Sequence, residues 1–145
     1  MNRLSYFKDG IVSSIEDIES LAKKKSGKIL VLSDSHNGDK DLLLDIIEKF
    51  AEDVDVLLYC GDGVSDIGEL VQEALRNEKL QEKLRSVIAF VRGNNDANSY
   101  VLSTDNENEE TSSLTEEKLA NFKMIQVNVP ESLIFSLAGR KIYCT

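Results

Sequence analysis

Histidine is almost missing from this chain: His36 is the only one in 145 residues. Tryptophan is absent, proline occurs once (Pro130), and cysteine occurs twice (Cys60 and Cys144). Two cysteines, each inside an apolar run, make no disulfide framework and read as small buried thiols. No Cys-x-x-Cys, Gly-x-Gly-x-x-Gly or Gly-Lys-Ser/Thr loop occurs, which leaves a redox or nucleotide-binding α/β protein without support. Basic residues are outnumbered 17 to 26, giving a formal charge of −9. A duplex nucleic acid or an anionic membrane surface is not held without a basic face, so neither partner is expected. No apolar run is longer than that at residues 87–91, far short of the ~20 residues a membrane span requires. The opening MNRLSYFKDG has no apolar core of signal-peptide length, so a cytoplasmic location is expected.

What is present is the composition of one globular domain, 41% hydrophobic with interspersed charge. Ile11, Ile15, Ile18 and Leu21 recur at helical spacing, predicting an amphipathic helix over 11–24 closed by Lys23, Lys24 and Lys25. Residues 1–26 are therefore expected to be a helical extension and 27–145 the domain proper. KILVLS (28–33) reads as a strand buried on both faces. Asp39 or Asp41 would cap a following helix whose inward stripe is Leu42, Leu43, Ile46, Ile47 and Phe50. DVLLYC (55–60), a helix over about 66–84 and SVIAFV (86–91) complete a βαβαβ period. Such a period implies right-handed crossovers and a parallel sheet. Beyond it lie an acidic loop at 105–113 and a short helix at 115–121. Three strand-like runs, KMIQVNV, SLIFSL and KIYCT, then read as an antiparallel meander turning at Gly139. The expected fold class is a layered α/β domain, a parallel core followed by antiparallel strands.

The chemistry-bearing residues stand where the three buried strands stop: Ser33-Asp34-Ser35-His36-Asn37-Gly38, Gly61-Asp62-Gly63 and Gly93-Asn94-Asn95-Asp96. One βα unit separates each from the next, so all three loops leave the same edge of the sheet, where open α/β sheets bind ligands. Asp34 and His36, two apart, can grip one ion from an extended segment. Asp62 has two carboxylate oxygens and can bridge two cations, and Asn94 offers a neutral carbonyl oxygen. That donor set suits manganese, iron, zinc or magnesium better than copper or an iron–sulfur cluster. Any one loop alone reads as ordinary turn chemistry; their coincidence at three consecutive strand ends does not.

SDSHNG (33–38), CGDG (60–63) and VRGNND (91–96), in this order and spacing, resemble the calcineurin-like metallophosphoesterases, most closely their small single-domain bacterial and archaeal phosphodiesterase branch. The resemblance covers about residues 28–145. It implies a dinuclear site with Asp34 and His36 on the first ion, Asp62 bridging and Asn94 on the second. Manganese is the first expectation for those ions, with zinc, iron, nickel or magnesium as alternatives. It implies hydrolysis of a small phosphoester, a diester before a monoester, by a hydroxide bridging the two cations. Asn95 and Asp96 are the further catalytic candidates on the leaving-group side. Asn95 stands where the family often has a histidine and cannot serve as a general acid. Asp96 would orient a neighbour from behind the ligands.

Family members also carry histidine-bearing motifs beyond a strand like KIYCT, and this chain stops at Thr145. The expectation is therefore a chain truncated before the second half of the sandwich. It would hold at most one ion weakly, show little activity, and tend to self-associate as a homo-oligomer through uncovered edges. The rival expectation is a non-catalytic protein-binding scaffold on the same fold.

Overall fold

The computed structural model describes residues 4–36, 40–84, 87–103 and 124–145; the acidic loop, the short helix expected at 115–121, and Asp39 lie outside them. The described part opens with a hairpin rather than a helix: β1 (Tyr6–Lys8) pairs antiparallel with β2 (Ile11–Ser13). Asp9 and Gly10 turn it, with φ of 57° and 77°. An Asp-Gly pair is a strong two-residue hairpin signal, because both turn positions need positive φ. The helix predicted over 11–24 is shorter in consequence. It is α1 (Ile15–Lys23), and the Ser14 side chain caps it by accepting the Asp17 N–H at 3.2 Å.

The βαβαβ core forms as expected. β3 (Ile29–Leu32), α2 (Lys40–Phe50), β4 (Val56–Tyr59), α3 (Val64–Arg76), α4 (Glu78–Lys83) and β5 (Val87–Phe90) follow in order. β3, β4 and β5 pair in parallel, Leu30 beside Leu57 beside Ile88. The sheet as a whole is mixed, not purely parallel, because β2 adds antiparallel to β5; its order is β1-β2-β5-β4-β3. The single helix expected over 66–84 is broken at Asn77, whose Oδ1 accepts the N–H of Lys79 and Leu80 and so starts α4.

The sheet's alternation divides the core in two. Leu57, Tyr59, Ile88 and Phe90 face Leu43 and Ile47 of α2 and the apolar stripe of α3. Val56, Leu58, Val87 and Ala89 face Leu21 of α1 and the second hairpin. That hairpin is β8 (Leu133–Leu137) with β9 (Arg140–Cys144), turned by Ala138-Gly139 as the sequence suggested. The meander is not continuous, however. β7 (Met124–Asn128) pairs with β6 (Ser99–Ser103), a strand the sequence reading missed, and not with β8.

Two burial expectations need correction. β3 is an edge strand, and Val31 is 57% exposed where a strand covered on both faces was expected. The second hairpin and α1 cover β4 and β5 but leave that end of the face open. Leu42 and Phe50 of the α2 stripe are exposed, and Asp41 lies inside the first turn instead of capping it. Only Leu43 and Ile47 of the five stripe residues are fully buried, with Leu44 packed beside them.

Candidate metal centre

The parallel strands end side by side, and hydrogen bonds tie their loops into one unit. In the first loop the Asp34 N–H donates to the Gly61 carbonyl at 3.0 Å, and the His36 N–H donates to the Asp62 carbonyl at 2.9 Å. Asp34, His36 and Asp62 all adopt positive φ (60°, 53° and 58°), an uncommon conformation for residues bearing a Cβ. Strain of this kind persists only where surrounding contacts over-determine it, and it concentrates at functional sites. Asp34 and His36 stand largely exposed, with Nε2 of His36 3.7 Å from Oδ1 of Asp34. The Ser33 hydroxyl donates to the other Asp34 oxygen at 2.5 Å.

Glycine is required where the second and third loops meet. A Cβ on Gly61 would come within 2.5 Å of the Gly93 nitrogen, and one on Gly93 would overlap Oδ1 of Asp62. A Cβ on Gly63 would strike the Ser35 hydroxyl and come within 2.5 Å of the Tyr59 hydroxyl. Asp62 is half-buried and its Oδ1 accepts the Asn95 N–H at 3.4 Å. Asn94 and Asn95 are exposed in the turn of the third loop.

Asp96 is the junction. One oxygen accepts the N–H groups of Asp62 and Gly93, each at 2.7 Å; the other accepts those of Gly63 (2.8 Å) and Val64 (3.0 Å). Burial alone would push the carboxyl up, but the four donors outweigh it and hold Asp96 below the usual carboxylate range.

A second network lies beneath the first loop, and the sequence reading did not find it. The Ser35 hydroxyl lies 2.5 Å from the Tyr59 hydroxyl and donates at 2.5 Å to the buried Asp66 carboxylate. The Tyr59 hydroxyl also accepts the Ser35 N–H at 3.0 Å. Burial, opposed by the Ser35 bonds and helped by Asp66 and Asp96, raises the Tyr59 pKa. Its signals were present: a tyrosine inside an apolar strand, and an acid on the inward stripe of α3.

The structure thus brings Asp34 and His36 together and seats their loop against that of Asp62, which in turn is joined to the loop of Asn94, Asn95 and Asp96. It does not gather three acidic, histidine or cysteine side chains into one cation-sized group among the described residues.

The calcineurin-like phosphoesterase family matches residues 27–145, and the chain belongs to that family. Neither a curated protein nor a solved structure matches the chain. Membership makes this a metallophosphoesterase domain, a hydrolase class that works with divalent metal ions on phosphoester substrates. No helix among the described residues is long and apolar enough to cross a membrane.

Proposed function

We propose that the domain is a phosphodiesterase acting on a small phosphodiester, with Asp34, His36, Asp62 and Asn94 holding its divalent ions and manganese the preferred metal. The observation that carries this reading is the meeting of the three loops at the carboxyl edge of β3, β4 and β5. The donors fit such ions: Asp34 and His36 present an oxygen and a nitrogen 3.7 Å apart and open to solvent. Two donors each ~2.0–2.2 Å from one cation can span that separation. Asp62, between the other two loops, has oxygens for a second ion, and Asn94 adds a neutral oxygen there. Divalent ions bound there would neutralise phosphate charge and make a nucleophilic water available near neutral pH.

The chain's own residues hold the frame. Asp96 locks the second loop to the third through the N–H groups of Asp62, Gly63 and Val64, and braces its own loop through that of Gly93, fixing where Asp62 and Asn94 stand. Asp66 and Tyr59 hold Ser35, and with it the backbone between Asp34 and His36. Asn95 is neutral at every pH, so it can orient a phosphate oxygen but cannot protonate a leaving group. The diester is the first choice by resemblance to the small phosphodiesterase branch, and the chain's charge of −9 is compatible with it, a diester carrying one negative charge where a monoester approaches two.

The test is turnover of bis-p-nitrophenyl phosphate against p-nitrophenyl phosphate with manganese, before and after Asp62→Asn. Faster diester turnover, abolished by the substitution, supports the reading; no turnover of either ester with any divalent metal overturns it. Asn95, which cannot protonate a leaving group, and a sequence with a single histidine favour a second reading, a protein-binding scaffold on this fold. A chain that captures a protein partner equally well after Asp34→Ala and Asp62→Asn, with no turnover, would establish it.

A further inference from the structure

The chain's two cysteines lie 84 positions apart in sequence and adjacent in space. Cys60 follows β4 directly, and Cys144 is the last residue of β9, opposite Leu133. Their sulfurs are 3.8 Å apart, and both thiols are free. They pack in the core layer between the sheet and the second hairpin, with Cys144 buried and Cys60 half-buried. The geometry points to Cys60 and Cys144 as a dithiol that closes into an intramolecular disulfide under a disulfide oxidant of the glutathione type, pinning β9 to β4.

A disulfide needs its sulfurs ~2.05 Å apart, so closure draws them together by about 1.7 Å. The movement falls to the hairpin. The Cys60 N–H donates to Leu32 at 2.8 Å, and the residues around it are paired on both sides within the five-stranded sheet. β9 pairs only with β8 among the described residues.

The exchange balances as two displacements. The more accessible Cys60, as thiolate, attacks one sulfur of oxidised glutathione; the S–S bond breaks and one glutathione thiolate leaves. Cys144, as thiolate, attacks the mixed disulfide at Cys60 and expels the second glutathione. The protein loses two protons and two electrons, and one oxidised glutathione becomes two reduced ones.

The experiment incubates the whole chain with oxidised glutathione under native conditions and reads intact mass, oligomeric state and melting temperature. The expected result is a monomer lighter by two hydrogens, with Tm raised by about 5–10 °C and restored by dithiothreitol. Cys144→Ser is expected to accumulate one glutathione on Cys60, and Cys60→Ser to accumulate none. A native chain that stays a dithiol while the urea-unfolded chain oxidises overturns the proposal. So does one that stops at a stable glutathione adduct, or one that cross-links only between molecules.

Discussion

Asp96 and the glycines around it show how far single residues govern this site. Four backbone donors converge on one side-chain carboxylate, and an amide can replace only one of its two acceptor oxygens. Asp96→Asn should therefore leave donors unsatisfied and cost about 2–3 kcal/mol, read as a lower urea midpoint at unchanged slope. Gly93→Ala acts differently, because its methyl would occupy the place of an Asp62 oxygen. Isothermal titration with manganese should show at least tenfold weaker binding for that variant, the cost of displacing a ligand by a fraction of an ångström being about 1.4 kcal/mol or more. The positions of Asp34, His36, Asp62, Asn94 and Asp96 at strand ends were readable from the sequence, because βα periodicity fixes which loops share an edge. The reach of Asp96 to four amides was not, since it depends on left-handed turns at Gly61, Asp62 and Gly63 that local residue preferences leave undecided.

At the level of elements, what the sequence disclosed were the long apolar runs. β4 and β5 are buried on both faces, and their continuous Val, Leu, Ile and Phe content announces it. The first hairpin was hidden because Ile11 falls in phase with Ile15, Ile18 and Leu21, so a helical period overrode the Asp9-Gly10 turn. α2 misled in the other direction: its apolar stripe is broader than the surface available to bury it. Ile47→Ala should cost about 2–5 kcal/mol, whereas Leu42→Ala, on the exposed side, should fall within about 0.5 kcal/mol of the parent in the same urea titration. The junction of α1 with β4 carries a pH signature. Burial raises the Asp55 carboxyl, but the Lys24 ammonium at 2.5 Å and the Lys28 N–H at 2.8 Å prevail and leave it below the ordinary value. A folded-state pKa below the unfolded one gives stability that is complete above about pH 5 and is lost as pH falls through the folded value. Lys24→Met should flatten the acid limb of stability measured between about pH 5 and pH 3.

For the molecule as a whole, the charge of −9 works against any anionic phosphoester approaching the site. Raising ionic strength from about 0.01 to 0.1 M shortens the screening length from ~30 to ~10 Å and weakens that repulsion. The expected outcome is kcat/KM for a phosphodiester that rises with added inert salt, opposite to the behaviour of a basic phosphate-binding protein. The Asp96 junction also sets which motions the architecture allows. The amides of Asp62, Gly63, Val64 and Gly93 share one acceptor group, so none is freed to solvent unless that carboxylate withdraws. In deuterium these four hydrogens should exchange in concert, at one rate governed by one opening event, while the Ser35 amide, held by Tyr59 instead, keeps its own clock.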